Sequence, residues 1–378
     1  MKVLVNASTL VVGGGIHIGV SFIEEAMKRK DFQWKFVVSK GIYDNLSIEI
    51  TKDSRIHCNI ISPSKIFSGR KIRKQIKNIE KQFQPDLVYS LGFPSYINFD
   101  AKELGRYTNP WEINPEPLPW HTIKGIKKKI LIKLGIWYRL YWSRRASYIE
   151  TQTLAAAKGI SKRSLFPFDK IKVIPNSPNY RFVLAGNNLD YKNFYFEKEN
   201  FIFCLAAGYR HKNLDIIPEV ASILKNKFDL NYSFLLTLDF ESDIWKEIEL
   251  ESNRLNVSNL VVNLGPLKLL DCINYYEKAK IVFLPTLLEV FSATYIEAMV
   301  MKVPIVTSDL EFAYDNCKDA AIYFKHGEAL SAATKIHELV TDKELYEVKI
   351  QKGIKVLASY PNLENKYNDL FNWFKKIK

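Results

Sequence analysis

The segment Thr286-Leu287-Leu288-Glu289-Val290-Phe291-Ser292-Ala293-Thr294-Tyr295-Ile296-Glu297 sets two carboxylates with seven residues between them, just after the apolar run Ile281-Val282-Phe283-Leu284 and Pro285. A helix opening near Ser292 aims its first amides out of the carboxyl end of that strand, with Glu289 in the loop before it and Glu297 one turn inside. Such a loop offers a phosphate cradle flanked by two hydroxyl-binding carboxylates. Taken alone, the pair also reads as a solvated helix glutamate and an acid that complements the helix dipole. Gly13-Gly14-Gly15 is a second place where backbone amides could meet an anion, and a plain tight turn would use the same three glycines. It lacks the GxGxxG spacing of a dinucleotide site, and no acidic residue stands at a convincing strand end about twenty residues on.

Metal and thiol chemistry find little support. There is no Asp-x-Asp pair to bridge a divalent ion to a diphosphate. His57, His326 and His337 have no ligand spacing with cysteines, and Cys58, Cys204, Cys272 and Cys317 are too scattered for a CxxC site or a disulfide framework. A reducing compartment is the simplest reading.

The elements that must position these residues alternate between strand and helix patterns. Val3-Leu4-Val5, Phe36-Val37-Val38 and Leu87-Val88-Tyr89 are apolar on consecutive positions, as parallel strands buried on both faces are. Ile16, Val20, Ile23 and Met27 recur at helical spacing after the first glycine loop. The alternation resumes with Phe201-Ile202-Phe203, Phe234-Leu235-Leu236, Leu260-Val261-Val262, Ile281-Val282-Phe283 and Val303-Pro304-Ile305-Val306, which predicts a second doubly wound α/β domain. At 378 residues, with 47% hydrophobic and 25% charged residues, the chain suffices for two cores and does not read as disordered. We expect domains over 1–180 and 201–360, a hinge over 181–200, and a tail over 361–378. Leu363, Tyr367, Leu370, Phe371 and Phe374 form an apolar helix face in that tail, expected to pack back toward the first domain.

The formal charge of +13 is uneven. Residues 1–180 hold 30 Lys and Arg against 14 Asp and Glu, whereas 181–378 hold 24 against 27. A basic first half favours an anionic partner, or is simply a soluble lysine-rich surface. Within it, Lys124 to Arg145 places Ile130, Leu134, Trp137 and Tyr141 on one helical stripe, with Lys124, Lys128, Arg139 and Arg145 elsewhere. The stripe suits an anionic membrane surface, or it packs on the first domain's sheet with its lysines in water. No RNA or DNA motif accompanies it, so nucleic acid is not expected as a partner. No apolar run approaches about eighteen residues, and the opening reads as a strand and glycine loop rather than a signal peptide.

Residues 201–324 resemble the donor-binding domain of retaining glycosyltransferase family 4, with its two-domain GT-B fold. The resemblance rests on the glutamate pair, on Val303-Pro304-Ile305-Val306-Thr307-Ser308 after it, on Gly208-Tyr209-Arg210-His211-Lys212-Asn213, and on Tyr314-Asp315-Asn316 through Ala320-Ala321-Ile322-Tyr323-Phe324. Gly13 to Gly15 and Val173-Ile174-Pro175-Asn176 extend it into the first half. It implies an α/β, GT-B fold with two doubly wound Rossmann-like domains facing a central cleft. It also implies a nucleotide-sugar donor as co-substrate, and the missing Asp-x-Asp pair leaves no metal or other cofactor expected.

By position, the resemblance gives Lys212 and Arg210 the diphosphate, with the amides of Ser292, Ala293 and Thr294. Glu297 takes the ribose hydroxyls, Glu289 the hydroxyls of the transferred sugar, and Gly14, Gly15 and Phe291 complete the donor site. Glu289 and Lys212 are the expected catalytic pair. His17, Asn109, Trp111 and His121 are acceptor-side candidates. Three departures stand out: Val290-Phe291-Ser292 where the family often has Gly-Phe-Gly, Lys302 at a frequent glycine, and Arg210 beside His211-Lys212 rather than further upstream.

The expected activity is retaining transfer of a hexosyl group to a glycan acceptor, lipid-linked, in bacterial O-antigen, capsule or exopolysaccharide synthesis. The expected place is the cytoplasm, peripheral on the inner membrane's cytoplasmic face. A nucleotide-sugar epimerase on the same architecture is the alternative, as is a non-enzymatic basic protein that binds membrane or nucleic acid.

Overall fold

A computed structural model describes residues 1–11, 14–113, 118–189 and 198–378. The described residues fall into two compact units. One takes residues 1–113, 130–175 and 364–378, and the other takes 118–129 and 176–363.

The first unit is built on a seven-stranded parallel sheet of β1 (Lys2–Ala7), β2 (Gln33–Ser39), β3 (Ile56–Asn59), β4 (Leu87–Ser90), β5 (Lys102–Arg106), β6 (Tyr148–Thr151) and β7 (Ile171–Val173), in the order β3-β2-β1-β4-β5-β6-β7. Its central strands are apolar without alternation because helices cover both faces: β4 is buried throughout, and β1 from Val3 onward. The crossover helices include α1 (Gly14–Met27), α2 (Gly69–Phe83), the short α3 (Pro110–Ile113) and α4 (Ile126–Ser143).

Helix α2 lays Ile72, Ile76, Ile79 and Phe83 against Leu4, Val37 and Val88. On the opposite face, Phe22 of α1 meets Trp34, Tyr89, Tyr367 and Phe371. Tyr367 and Phe371 belong to α9 (Leu363–Lys376), which buries Tyr367, Leu370, Phe371, Trp373 and Phe374 in this core. Beneath them, Arg106 and Tyr89 both bond the buried carboxylate of Glu150, with Arg106 Nε 3.2 Å from Oε1, so the charge is paired where water is absent.

The second unit holds six parallel strands: β8 (Phe201–Cys204), β9 (Ser233–Leu236), β10 (Val261–Asn263), β11 (Ile281–Leu284), β12 (Ile305–Ser308) and β13 (Ala321–Phe324), in the order β10-β9-β8-β11-β12-β13. The chain leaves β8 toward β9 on one side and leaves β11 toward β12 on the other. The sheet therefore reverses direction between β8 and β11, which are paired neighbours. Open parallel sheets take ligands outside the carboxyl ends of the strands at this switch point.

The stretch expected as a hinge over 181–200 is a helix at its start, α5 (Tyr180–Asn187), with Phe182 in the second unit's core. Residues 190–197 lie outside the described residues. Gly186 of α5 is needed for close approach, since a Cβ there would sit 2.3 Å from the Val300 carbonyl oxygen. Backbone cannot step aside as a flexible side chain can. Gly186→Ala is expected to destabilise the protein by about 3 kcal/mol, checked by denaturant melts of both chains.

Candidate functional site

At the β8–β11 switch point, two loops leave the carboxyl ends of adjacent strands. The first runs from Leu205 to Lys212 and ends in a single 3-10 turn, Arg210–Lys212. The second runs from Pro285 to Ser292 and opens α8 (Ala293–Val300). They are clipped together: the Leu287 amide donates to the His211 carbonyl at 2.8 Å, and the Thr286 hydroxyl donates to the same oxygen at 3.3 Å. The Thr294 hydroxyl reaches back to the Leu205 carbonyl at 3.4 Å.

The clip has a charged consequence. Lys212 Nζ and Glu289 Oε1 form an ion pair across the two loops, with only 15% and 10% of their side chains exposed. Residues 77 apart in sequence thus meet beside the opening of α8. Ser292 is the N-cap residue and is 6% exposed; its hydroxyl makes no capping bond. Ala293 and Thr294 follow, and amides in a helix's first turn have no carbonyl partner within that helix. The arrangement presents one ammonium and a set of aligned N–H groups, the requirement for holding a diphosphate. The helix is bolted in place from below, where the Tyr295 hydroxyl pairs with Thr307 Oγ1 at 2.7 Å and Thr307 donates to the Leu284 carbonyl at 2.8 Å.

Glu297 lies one turn along α8, half-buried, and accepts a hydrogen bond from the Tyr276 hydroxyl of α7 (Leu269–Lys278) at 3.1 Å. Burial pushes its carboxyl up to about 7, with the tyrosine bond opposing. At neutral pH this group stands near its own midpoint.

Arg210 is differently employed. Its guanidinium forks onto Glu247 of α6 (Asp243–Arg254) at 2.5 and 2.7 Å, and Lys124 adds a third bond to Glu247 at 2.9 Å. The Arg210 and Lys124 bonds hold the Glu247 carboxyl down at about 2. Arg210 thus braces the loop that carries Lys212, a task its position in sequence did not disclose. His211, between them, stacks on Tyr209 with ring centroids 5.5 Å apart, and burial drives its imidazole down to about 3, so it stays neutral.

The remaining expected site residues are divided between the two units. Phe291 is half-buried and meets Tyr360 edge-on at 6.2 Å. Gly14 and Gly15 open α1 in the first unit, where a Cβ at Gly14 would meet nothing within 4 Å and one at Gly15 would lie 3.1 Å from Leu10 Cδ2. Gly13 lies outside the described residues. His17 is exposed on α1, Trp111 is half-buried on α3, and Asn109 Oδ1 caps the Trp111 amide at 3.2 Å. These three lie in the first unit, and exposed His121 lies in the second.

Sequence reasoning missed Tyr276 and Glu247. Each acts through a contact with no local signature, although Glu247 sits on a recognisable helix with a charged face. Lys302, at the position where a glycine is frequent, has φ +55°, the left-handed region in which glycine is at ease. Its ammonium donates to the Gly186 carbonyl at 2.9 Å and to that of Leu189, offsetting part of the backbone cost.

Residues 187–356 match the family model described as glycosyl transferases group 1. Those residues are a group 1 glycosyltransferase domain. The O-antigen chain mannosyltransferase RfbU of Salmonella typhimurium is 22% identical to this chain over 268 residues, covering 71% of this chain and 68% of that one. The capsular polysaccharide biosynthesis glycosyltransferase CapM of Staphylococcus aureus is 21% identical over 274 residues, or 69% of each chain. The crystal structure of Anabaena Alr3699/HepE in complex with UDP and glucose superposes with a TM-score of 0.70 at 14% identity, over 100% of both chains. That likeness shows the fold, which is GT-B. Among the described residues no helix is long and apolar enough to cross a membrane, and no group of three or more His, Cys, Asp or Glu side chains could hold a metal ion.

Proposed function

We propose that this glycosyltransferase transfers a hexosyl group with retention from a nucleoside diphosphate donor to a lipid-linked glycan, in assembling a bacterial surface polysaccharide such as O-antigen or capsule, at the cytoplasmic face of the membrane. The observation that carries the reading is the Lys212–Glu289 ion pair, joined across the two loops of the strand switch at the mouth of α8. RfbU and CapM, named for O-antigen and capsule synthesis, support the product class, and HepE, solved with UDP and glucose, supports the donor class.

In this reading the diphosphate takes the two ammonium protons that Glu289 leaves free, together with the opening amides of α8. The ribose hydroxyls donate to Glu297. The glycosidic C–O bond breaks with its electron pair passing to the diphosphate oxygen, whose growing charge Lys212 and the amides stabilise. The acceptor oxygen bonds to the anomeric carbon from the face the diphosphate leaves, and its proton passes to the departing phosphate oxygen. Glu289 orients the sugar and no covalent residue is required. Lys212 and the helix amides supply the positive charge that a divalent ion would otherwise bring, so neither metal nor further cofactor enters.

The test is an assay of nucleotide sugars against short lipid-linked glycans, with products read by mass spectrometry and the new linkage by NMR. We expect the donor's anomeric configuration in the product and undiminished turnover in excess EDTA. Inversion would remove the same-face step, and EDTA inhibition reversed by magnesium would remove the metal-free one.

A further inference from the structure

Helix α4 packs by an edge that excludes its most apolar stripe. Ile136 and Ser143 are buried, Arg139 bonds the wholly buried Glu112, and Tyr138 stacks on Tyr96 with centroids 5.7 Å apart. The stripe of Ile130, Leu134, Trp137 and Tyr141 points outward, with Leu131 beside it; Trp137 is 67% and Leu131 68% exposed. Packing on the sheet is thereby excluded for these side chains.

A second apolar projection lies in the same unit. The loop between β3 and α2 exposes Ile60, Ile61, Ile66 and Phe67, with Phe67 90% in solvent. This loop is built, since the Arg73 guanidinium donates to the carbonyls of Pro63, Lys65 and Ile66 at 2.5 to 2.9 Å. A Cβ at Gly69 would fall 2.8 Å from the Pro63 oxygen, so the turn is also close-packed.

The two projections share a side of the sheet. The steps β3 to β4 and β5 to β6 move the same way across the strand order, and right-handed crossovers then put α2 and α4 on one face. Contacts agree, for Ile97 and Phe99 pack with α2 while neighbouring Tyr96 stacks on α4. Within the two segments themselves the charge is of one sign. Residues 60–79 contain Lys65, Arg70, Lys71, Arg73, Lys74 and Lys77 and no acid, and residues 124–145 contain eight Lys and Arg and no acid. Exposed Trp, Tyr, Phe and Ile on segments that carry only basic charges match an interface where apolar groups enter acyl chains and ammonium groups meet lipid phosphates.

We infer that the protein docks on an anionic lipid bilayer at two points, with α4's outer stripe and the Ile60–Phe67 loop entering the interface together. The inference deepens the proposal of a membrane-borne acceptor, but its test uses no sugar donor, so either can fail alone.

The experiment sediments the full chain with phosphatidylcholine vesicles, with and without phosphatidylglycerol, and follows tryptophan fluorescence. The chain is expected to partition onto the anionic vesicles about tenfold more strongly, with a blue shift and with loss of binding as salt screens the charges. Phe67→Ser and Trp137→Ser are each expected to lower partition about fivefold with unchanged melting, because both side chains already face water. If either variant melts early, the charge reversals Lys71→Glu and Lys128→Glu carry the same expectation. Equal binding to both vesicle types overturns the inference, as does parental binding by the variants. A concentration-dependent dimer that the variants abolish, without vesicle binding, also overturns it in favour of a second copy.

Discussion

Lys212→Met is expected to lower kcat for glycosyl transfer by about a thousandfold. In the proposed site the ammonium meets the leaving diphosphate as it gains charge, and the interactions that matter most to rate are those that strengthen as that charge develops. Lys212 and Glu289 are both largely withdrawn from water, so removing only the cation strands a carboxylate and costs stability, about 1–3 kcal/mol. The double variant Lys212→Met/Glu289→Gln separates the two effects. It should melt near the parent temperature and remain as inactive as the single variant. Turnover within about twofold of the parent in a folded Lys212→Met protein would take Lys212 out of the chemistry.

Glu297 carries the second large effect, through pH. Its carboxyl is raised from an ordinary 4.5 to about 7, so at about pH 6 it is mostly protonated in the free protein and, in the proposed site, offers a donor where ribose hydroxyls need acceptors. Affinity for the donor's nucleoside diphosphate should therefore rise about tenfold between about pH 6 and pH 8, and this rise should be absent in Glu297→Gln, which also subtracts any titration of the nucleotide itself. The stability sign runs the other way. A raised acid favours the folded state below pH 4.5, and that benefit is lost as pH climbs through 7. Glu297→Gln should thus hold its melting temperature better than the parent at about pH 8. Calorimetry and thermal melts at both pH values read the pair of outcomes. A parallel pH slope in parent and variant would mean Glu297 does not touch the ligand.

How much of this was legible in the sequence depends on the distance over which each signal acts. Consecutive apolar runs foretold strands buried on both faces, and β4, β8, β11 and β12 are buried at every position. The segment from Glu289 to Glu297 was readable because a strand, a loop and a helix start are local. The partner of Glu289 was not, since Lys212 reaches it only through the parallel pairing of β8 with β11. Arg210 looked like a second phosphate ligand for the same reason; nothing short of the folded α6 shows that Glu247 claims it. Helix α4 displayed its stripe plainly. Which side would meet protein was decided elsewhere, by Glu112 and Tyr96, and no periodicity within the helix encodes them.

The docking of α9 has a consequence for how the chain reaches its native state. The cavity between Phe22, Phe32, Trp34 and Tyr89 is filled by rings from residues 367–374, which leave the ribosome after the whole second unit. Until then the earlier sheet waits with an aromatic wound open to chaperones and to neighbouring nascent chains. The first unit therefore cannot be completed before the second has been synthesised, and a premature stop codon between residues 360 and 367 would injure the half of the molecule made first.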